Sequence, residues 1–315
     1  TELPYALGLF PEQLLNGADE QLILLKTLNP VQEEVLGDLY LEMHEKKWEV
    51  YVVTALHPEA WPSGKGQILA GLNPEVISRY KEHYGENWSE PCLRDFQEQI
   101  RKYEIIRREL DHLLDRLKKE VGLSESEAIS PAQMAELEQK LPEDLRQKEK
   151  KLRQIAYAYI GRVSVEVGDV VTFPALQVHS LQHGIRVIEF QTPHYERLIV
   201  MFAQKVLTQN HWDTDRAMDL INTEPYRLPE PQLLTDEEGY LEERIVDFPD
   251  FTSERIRMDE NISRKFQCKG RCHLIICVKG KLRLESQSGN SFELLPEEAI
   301  FLPASTSFYR ITNSG

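Results

Sequence analysis

Residues 38–54 read DLYLEMHEKKWEVYVVT, and the prediction of the fold starts from them. In the first half of this segment, the apolar residues Leu41 and Met43 alternate with polar ones. Such a period of two is typical of a β-strand, whose successive side chains point to opposite faces. The second half is rich in valine and tyrosine and predicts another strand. The segment therefore predicts two strands joined by a short charged connection.

Three polar residues of this segment are candidate metal ligands. Glu42 and His44 are two positions apart, so their side chains lie on the same face of the first strand. Glu49 opens the second strand, and we expect a tight turn through residues 45–47 to lay that strand antiparallel to the first. The three side chains would then converge inside a barrel, where a polar face needs a partner such as a cation. The same pattern also fits an ordinary strand with a solvated polar face.

A fourth candidate ligand comes from residues 168–179, which read GDVVTFPALQVH. A Gly-Asp turn leads into a predicted strand, Pro174 ends that strand, and His179 follows. Taken alone, a histidine near strands is more often hydrogen-bonded in a structural role than bound to a metal. His179 is therefore a candidate only in combination with the first segment.

Strand patterns dominate the chain and predict a mainly β fold with a helical insertion. Residues 93–121 are highly charged, and their apolar residues recur at steps of three and four, which predicts an amphipathic helix. A second helical pattern, interrupted near Pro142, completes a helical hairpin. Its charged residues fit a solvated outer face, although a partner-binding coiled coil stays open. A shorter helix is predicted for residues 22–28.

Charge and composition exclude several classes of function. The formal net charge of -15 over 315 residues argues against a nucleic-acid binder, which needs clustered Lys and Arg. No apolar run approaches the roughly 20 residues of a membrane span, and residues 1–5 lack the features of a signal peptide. We therefore expect a cytoplasmic protein without nucleic-acid or membrane partners. A phosphorylated small substrate needs only a few local cations and is not excluded, and a homo-oligomer stays open.

The two segments together resemble the paired motifs of the cupin superfamily, His-x-His-x(3,4)-Glu and Gly-x(5)-Pro-x-Gly-x(2)-His. In this chain the first motif reads Glu42-x-His44-x(4)-Glu49. The second motif ends at His179 and has Leu176 where the family often has Gly. The resemblance implies a jelly-roll β-barrel with a metal ion held by these two glutamates and two histidines.

The chain is also similar to the type I phosphomannose isomerases, a narrower family. Lys47-x-Glu49 matches the Lys-x-Glu of that family, and Glu189 and Arg197 take the places of its later Glu and Arg. This resemblance implies that Arg197, Lys47 and Glu189 are catalytic. It also implies zinc as the cofactor, with iron or manganese as alternatives, and a small-molecule sugar phosphate as the substrate.

The fold implied by the family is a bicupin, two jelly-roll β-barrels, here with the helical hairpin inserted. The predicted domains are a metal-binding cupin domain formed by residues 1–90 plus 156–227, a helical insertion at residues 91–155, and a second, metal-free cupin-like domain at residues 228–315.

The implied reaction interconverts mannose 6-phosphate and fructose 6-phosphate, or a close sugar-phosphate pair. Glu42 departs from the family, which has Gln at that position, and adds one negative charge to the ligands. We expect this change to strengthen metal binding and to weaken the ion as a Lewis acid. A cupin oxygenase with non-haem iron and a non-catalytic regulator that binds a sugar phosphate are the alternatives.

Overall fold

The computed structural model describes residues 23–124, 127, 129–194 and 196–315. Residues 1–22, and with them the predictions made for the start of the chain, lie outside the described residues. The strands are β1 (Leu24–Leu28), β2 (Leu41–Met43), β3 (Glu49–Leu56), β4 (Gly66–Leu72), β5 (Ile160–Val165), β6 (Val170–Phe173), β7 (His179–Ser180), β8 (Ile185–Gln191), β9 (Leu198–Met201), β10 (Gln232–Glu237), β11 (Tyr240–Asp247), β12 (Thr252–Met258), β13 (Ser263–Gln267), β14 (His273–Ile276), β15 (Leu282–Ser286), β16 (Ser291–Leu294), β17 (Ala299–Leu302) and β18 (Phe308–Asn313). The helices are α1 (Pro74–Tyr84), α2 (Ser89–Glu120), α3 (Pro131–Gln139), α4 (Glu143–Tyr157) and α5 (Thr214–Leu220).

Strands β1–β9 form the first β unit. Within the described residues its strands make two sheets, in the orders β1-β8-β3-β6 and β5-β4-β7-β2-β9. The side chain of Glu49 on β3 reaches His179 on β7 at 3.0 Å, so the inner faces of the two sheets meet. The strands are antiparallel, which confirms the predicted mainly β, cupin-like fold.

The predicted helical hairpin is also confirmed, and it covers the outer face of the sheet that contains β2. Phe96, Ile100 and Tyr103 of α2 are fully buried in one apolar cluster with Leu41 and Met43 of β2. Burying a large apolar side chain stabilises a fold by about 1.5 to 3 kcal/mol. The outward residues of β2 are therefore anchored in the core, which fixes the direction of its inward residues.

The helical region begins earlier than the sequence pattern suggested. Helix α1 starts at Pro74, where the Asn73 side chain accepts a hydrogen bond from the backbone N–H of Glu75, and α2 already starts at Ser89. Proline at the first helical position after Asn is a normal helix start. None of the helices in the described part of the chain combines the length and apolar character needed to cross a membrane.

The helix predicted for residues 22–28 is wrong. Residues 24–28 form β1, which pairs antiparallel with β8 so that Lys26 lies opposite Glu189. Five residues contain too little periodicity to distinguish a helix from a strand. A pairing partner more than 150 residues away decides the conformation here, and a local pattern cannot reveal it.

The antiparallel hairpin predicted for residues 41–54 is wrong as well. Strand β2 pairs with β7 and β9, whereas β3 pairs with β6 and β8 in the other sheet. The short connection after His44 therefore crosses from one sheet to the other. The predicted convergence of Glu42, His44 and Glu49 still occurs, because the two sheets face each other.

Strands β10–β18, here called the second β unit, make three sheets within the described residues, in the orders β10-β11-β12, β13-β18-β15-β16 and β14-β17. The sequence of this unit repeats the spacing of the second motif with different residues. Gly168 and Glu297 both have a positive φ, 95° and 74°. Counted from Gly168 and from Glu297, a proline follows after six residues in each unit. The position after eleven residues is His179 in the first unit and Phe308 in the second. Phenylalanine has no donor atom for a metal. The metal-free second domain stays a prediction, and this substitution supports it.

Candidate metal centre

The first half of the centre is held by strand β2. Glu42 Oε1 lies 4.0 Å from His44 Nε2, so the two side chains share one face as predicted. His44 Nδ1 lies 2.7 Å from the backbone carbonyl of Glu196, which can only accept, so Nδ1 carries the proton. Nε2 is then left with a free lone pair, as a metal ligand requires.

The second half of the centre comes from β3 and β7. Glu49 Oε2 lies 3.0 Å from His179 Nε2, and Glu49 Oε1 lies 3.4 Å from His44 Nε2. The other ring nitrogen of His179 donates to the carbonyl of Gln177 at 2.9 Å. The Phe173 ring stacks on the His179 imidazole with centroids 4.1 Å apart. These contacts fix the orientation of His179.

The donors fit a divalent cation. Donor atoms of Glu42, His44 and His179 all lie within 4.8 Å of one another. Glu42 Oε2 and His44 Nε2 are buried and find no hydrogen-bond partner among the described residues. A buried polar atom without a partner is costly, and a cation bound between these atoms would remove that cost. Glu49 contacts both imidazoles but does not belong to this group of three, and its Oε1 lies 2.6 Å from Lys47 Nζ, so its role as the fourth ligand stays a prediction.

Protonation favours metal binding at His44, whereas at His179 a metal ion would displace a proton: although burial alone would lower it, the pKa of His179 is raised by its hydrogen bond to Glu49. Burial lowers the pKa of His44 to about 3, so its imidazole is neutral at neutral pH. Burial alone would raise the pKa of Glu49, but its hydrogen bond to His179 and the neighbouring positive charges hold it well below the usual range. Burial raises the pKa of Glu42. A bound cation would favour its ionised form.

Two predicted catalytic residues lie beside these ligands. Lys47 Nζ contacts Glu49 Oε1 at 2.6 Å and is largely buried. Although burial alone would lower it, the pKa of Lys47 is raised by Glu49, so the amine stays charged. Burial, followed by the charge of Glu49, raises the pKa of Glu189 to about 8. Glu189 is therefore mostly protonated at neutral pH and can donate a proton.

The sequence did not reveal Lys26 as a member of this group. Its Nζ lies 3.1 Å from Glu189 Oε1 and also contacts the side-chain oxygen of Gln191. The Lys26 side chain is 39% exposed, so the amine lies between the buried carboxyl group of Glu189 and solvent. No local signal marks Lys26, since its place depends on the pairing of β1 with β8.

Arg197 lies at the rim of the centre. Its Nη1 is 3.9 Å from Glu42 Oε2, and its guanidinium lies over the Tyr40 ring at 4.8 Å from the centroid. The neighbouring Glu196 accepts hydrogen bonds from the backbone N–H groups of Glu45 and Lys46. Arg197 is thereby placed close to the predicted ligands but still partly exposed.

Fold and candidate centre together define a class: a mainly β protein with a cupin-like fold and a candidate divalent-metal site inside its first β unit. No protein-family model and no curated protein matches the sequence. Solved structures do match. Mannose 6-phosphate isomerase from Bacillus subtilis is 12% identical with a TM-score of 0.57, covering 96% of this chain and 76% of that one.

Two further structures give the same result. A lysine-to-alanine mutant of phosphomannose isomerase from Salmonella typhimurium is 14% identical with a TM-score of 0.60, covering 96% of this chain and 80% of that one. A zinc-bound mannose 6-phosphate isomerase is 14% identical with a TM-score of 0.57, covering 96% and 82%. At this level of identity the likeness establishes a shared fold, and a fold alone does not define a reaction.

Proposed function

We propose that this chain is a metal-dependent aldose–ketose isomerase that interconverts mannose 6-phosphate and fructose 6-phosphate, or a close sugar-phosphate pair. The observation that carries the proposal is the convergence of Glu42, His44 and His179 donor atoms within 4.8 Å, beside the buried Glu189, whose pKa is raised to about 8 by burial. The shared fold with mannose 6-phosphate isomerases, one of them zinc-bound, supports it.

Glu42, His44, Glu49 and His179 would hold the ion, with zinc as the proposed metal and iron or manganese as alternatives. A bound divalent cation stabilises negative charge that develops on substrate oxygens. Glu42, Glu49 and His179 lie on strands of two facing sheets, and His44 directly follows β2. A site on rigid elements keeps its geometry when a substrate enters.

The remaining residues supply proton transfer and substrate binding. Isomerisation moves a proton between two neighbouring carbons, and Glu189 is the proposed acid–base residue, since its raised pKa of about 8 lets it exchange protons near neutral pH. Lys47 and Lys26 stay close to the carboxylates and offer positive charge to an anionic substrate. Arg197, at the rim, is placed to hold the substrate or to stabilise its developing charge.

One observation favours a second candidate function. Two imidazoles and two carboxylates also suit non-haem iron, so the ligand set is compatible with a cupin oxygenase. A regulator that binds a sugar phosphate without turnover is the third outcome. The extra negative charge of Glu42 weakens a bound ion as a Lewis acid. A protein with such an ion would bind a sugar phosphate without converting it.

The test uses protein that has been stripped of metal by a chelator and reloaded with zinc. Conversion of mannose 6-phosphate, with none of unphosphorylated mannose, is the expected result. Oxygen consumption by the iron-loaded protein without isomerisation would indicate the oxygenase. Tight binding of mannose 6-phosphate without conversion under any metal would indicate the regulator, and either result would refute the isomerase.

A further inference from the structure

The residue between Lys47 and Glu49 points away from the centre. Lys47 and Glu49 face inward and contact each other at 2.6 Å. The Trp48 ring lies on the other side, where it packs against Phe248 of the second β unit with centroids 4.8 Å apart and a tilt of 44°. Strand-like alternation thus places a predicted ligand and an inter-unit contact on neighbouring residues.

The backbone of Trp48 forms two hydrogen bonds with Thr192. Its N–H donates to Thr192 Oγ1 at 3.0 Å, and its carbonyl accepts from the N–H of Thr192 at 3.1 Å. These bonds tie the residue to the chain after β8. They involve only the backbone of Trp48, whereas Phe248 contacts its ring.

The Trp48–Phe248 contact continues an apolar layer, here called the junction cluster, along the outer face of β3. Val50 is fully buried there and Val52 nearly so. The cluster comprises Val50, Val52, Val170, Phe190, Ile245, Val246, Phe248 and Phe251. Residues from both β units contribute to it. Strand β3, which carries Glu49, therefore lies between the candidate metal centre and the second β unit.

Phe248 is itself held in a tight turn. Its N–H donates to the carbonyl of Phe251 at 2.9 Å, and the two rings meet edge to face with centroids 5.4 Å apart. This turn joins β11 to β12. Because the turn fixes the Phe248 ring, this ring can restrain the position of the Trp48 ring that packs against it.

The same hairpin also contacts the second motif. Arg255 of β12 donates to the carbonyl of Gly168 at 2.8 Å, and Glu243 of β11 pairs with the guanidinium at 2.9 Å. Gly168 opens the turn that leads towards His179. The β11–β12 hairpin therefore touches both segments that supply the proposed ligands.

We propose that Phe248 is a positioning residue of the metal centre: the second β unit holds Lys47 and Glu49 in place through the Trp48–Phe248 contact. This inference rests on the metal centre of the proposed function, but not on the reaction. Partners that orient metal ligands commonly change metal affinity by about 10- to 100-fold when they are lost. Truncation of Phe248 removes the ring that Trp48 packs against. Trp48 and the adjacent Glu49 can then shift.

The test measures the affinity for Zn²⁺ alone, by competition with a fluorescent chelator, at a temperature at which each variant is fully folded by circular dichroism. Phe248→Ala is expected to weaken zinc binding about tenfold, and Phe248→Leu, which keeps most of the bulk, to restore it to within about twofold of the native value. If Phe248→Ala does not fold, Phe248→Val replaces it under the same criteria.

Two control variants separate positioning from general stability. Leu284→Ala opens the core of the second β unit, where Leu284 is fully buried, without touching Trp48. Phe292→Ala truncates an exposed ring of the same unit. Both are expected to bind zinc as the native protein does. Equal losses in Leu284→Ala and Phe248→Ala, or native affinity in folded Phe248→Ala, would overturn the inference, whereas a native protein that binds no metal would refute the proposed function.

Discussion

Glu42 and His179 lie directly opposite each other on the antiparallel strands β2 and β7. One comes from the first sequence motif and the other from the second, with the whole helical hairpin between them in the chain. Antiparallel partners have their side chains on the same face of a sheet. The pairing of β2 with β7 therefore joins the two motifs into one candidate site.

Glu42→Gln tests the feature that distinguishes this chain from the isomerases that it resembles. The change keeps an oxygen donor but removes one negative charge, so metal affinity should fall by about tenfold while the bound ion becomes a stronger Lewis acid. We expect weaker zinc binding in chelator competition together with a higher turnover per bound zinc. Unchanged affinity would show that the negative charge of Glu42 does not contribute to metal binding.

Arg197→Ala tests the role proposed for the rim of the centre. Loss of one group that stabilises developing charge typically lowers turnover by about 100-fold or more. Zinc content should stay at the native level, since Arg197 is not a proposed ligand. Arg216→Ala is the matched control, because Arg216 is exposed and pairs only with Glu45 in the described structure. Native turnover in Arg197→Ala would remove Arg197 from the site.

Lys26→Met tests the residue that the structure adds to the site. The variant keeps an unbranched chain but removes the charge that contacts Glu189 at 3.1 Å. We expect the Michaelis constant for the sugar phosphate to rise by about tenfold, since one charged contact contributes on the order of 1.5 kcal/mol. Lys65→Met, at an exposed pair with Glu166, serves as the control. Equal kinetics in both variants would contradict a role for Lys26.

The pair of His183 and Asp38 predicts a pH dependence of stability away from the metal centre. His183 Nδ1 lies 2.7 Å from Asp38 Oδ1, and this hydrogen bond raises the pKa of His183. A histidine whose pKa is raised by folding stabilises the protein below its unfolded pKa of about 6.5, and the contribution is lost as pH rises through the folded value.

His183→Asn should therefore lower the free energy of unfolding most at acidic pH, by about 1.5 to 3 kcal/mol, the range for hydrogen bonds to charged groups. Urea unfolding of the native protein and of the variant at pH 5.5 and pH 8.5 measures the difference. The gap between the two proteins should narrow at the higher pH. A gap that is constant over this range would show that His183 does not change its charge there.

The sequence allowed the mainly β fold, the helical hairpin and the proposed ligands to be predicted, because each depends on a local pattern. The two-residue spacing of Glu42 and His44 places both on one face in any strand pairing. The pairing itself was not predictable: residues 45–47 look like a hairpin turn, yet they connect two sheets. Strand partners are chosen by contacts that are distant in the chain.

Lys26 shows the same limit at the level of a single residue. The run Leu24–Leu28 is too short to give a distinct period, so nothing in it indicates a strand beside Glu189. The contact between Trp48 and Phe248 was equally hidden, since the two residues belong to different β units. Ligand types could be inferred from motifs, whereas the residues that surround and support them required the structure.

The central claim is that Glu42, His44, Glu49 and His179 bind one metal ion, and elemental analysis tests it most directly. The native protein, loaded with zinc and freed of excess ion, should retain about one equivalent. His44→Ala and His179→Ala should retain almost none, while His183→Asn, outside the centre, should bind as the native protein does. Stoichiometric zinc in folded His44→Ala and His179→Ala, or no metal in the native protein, would contradict the claim.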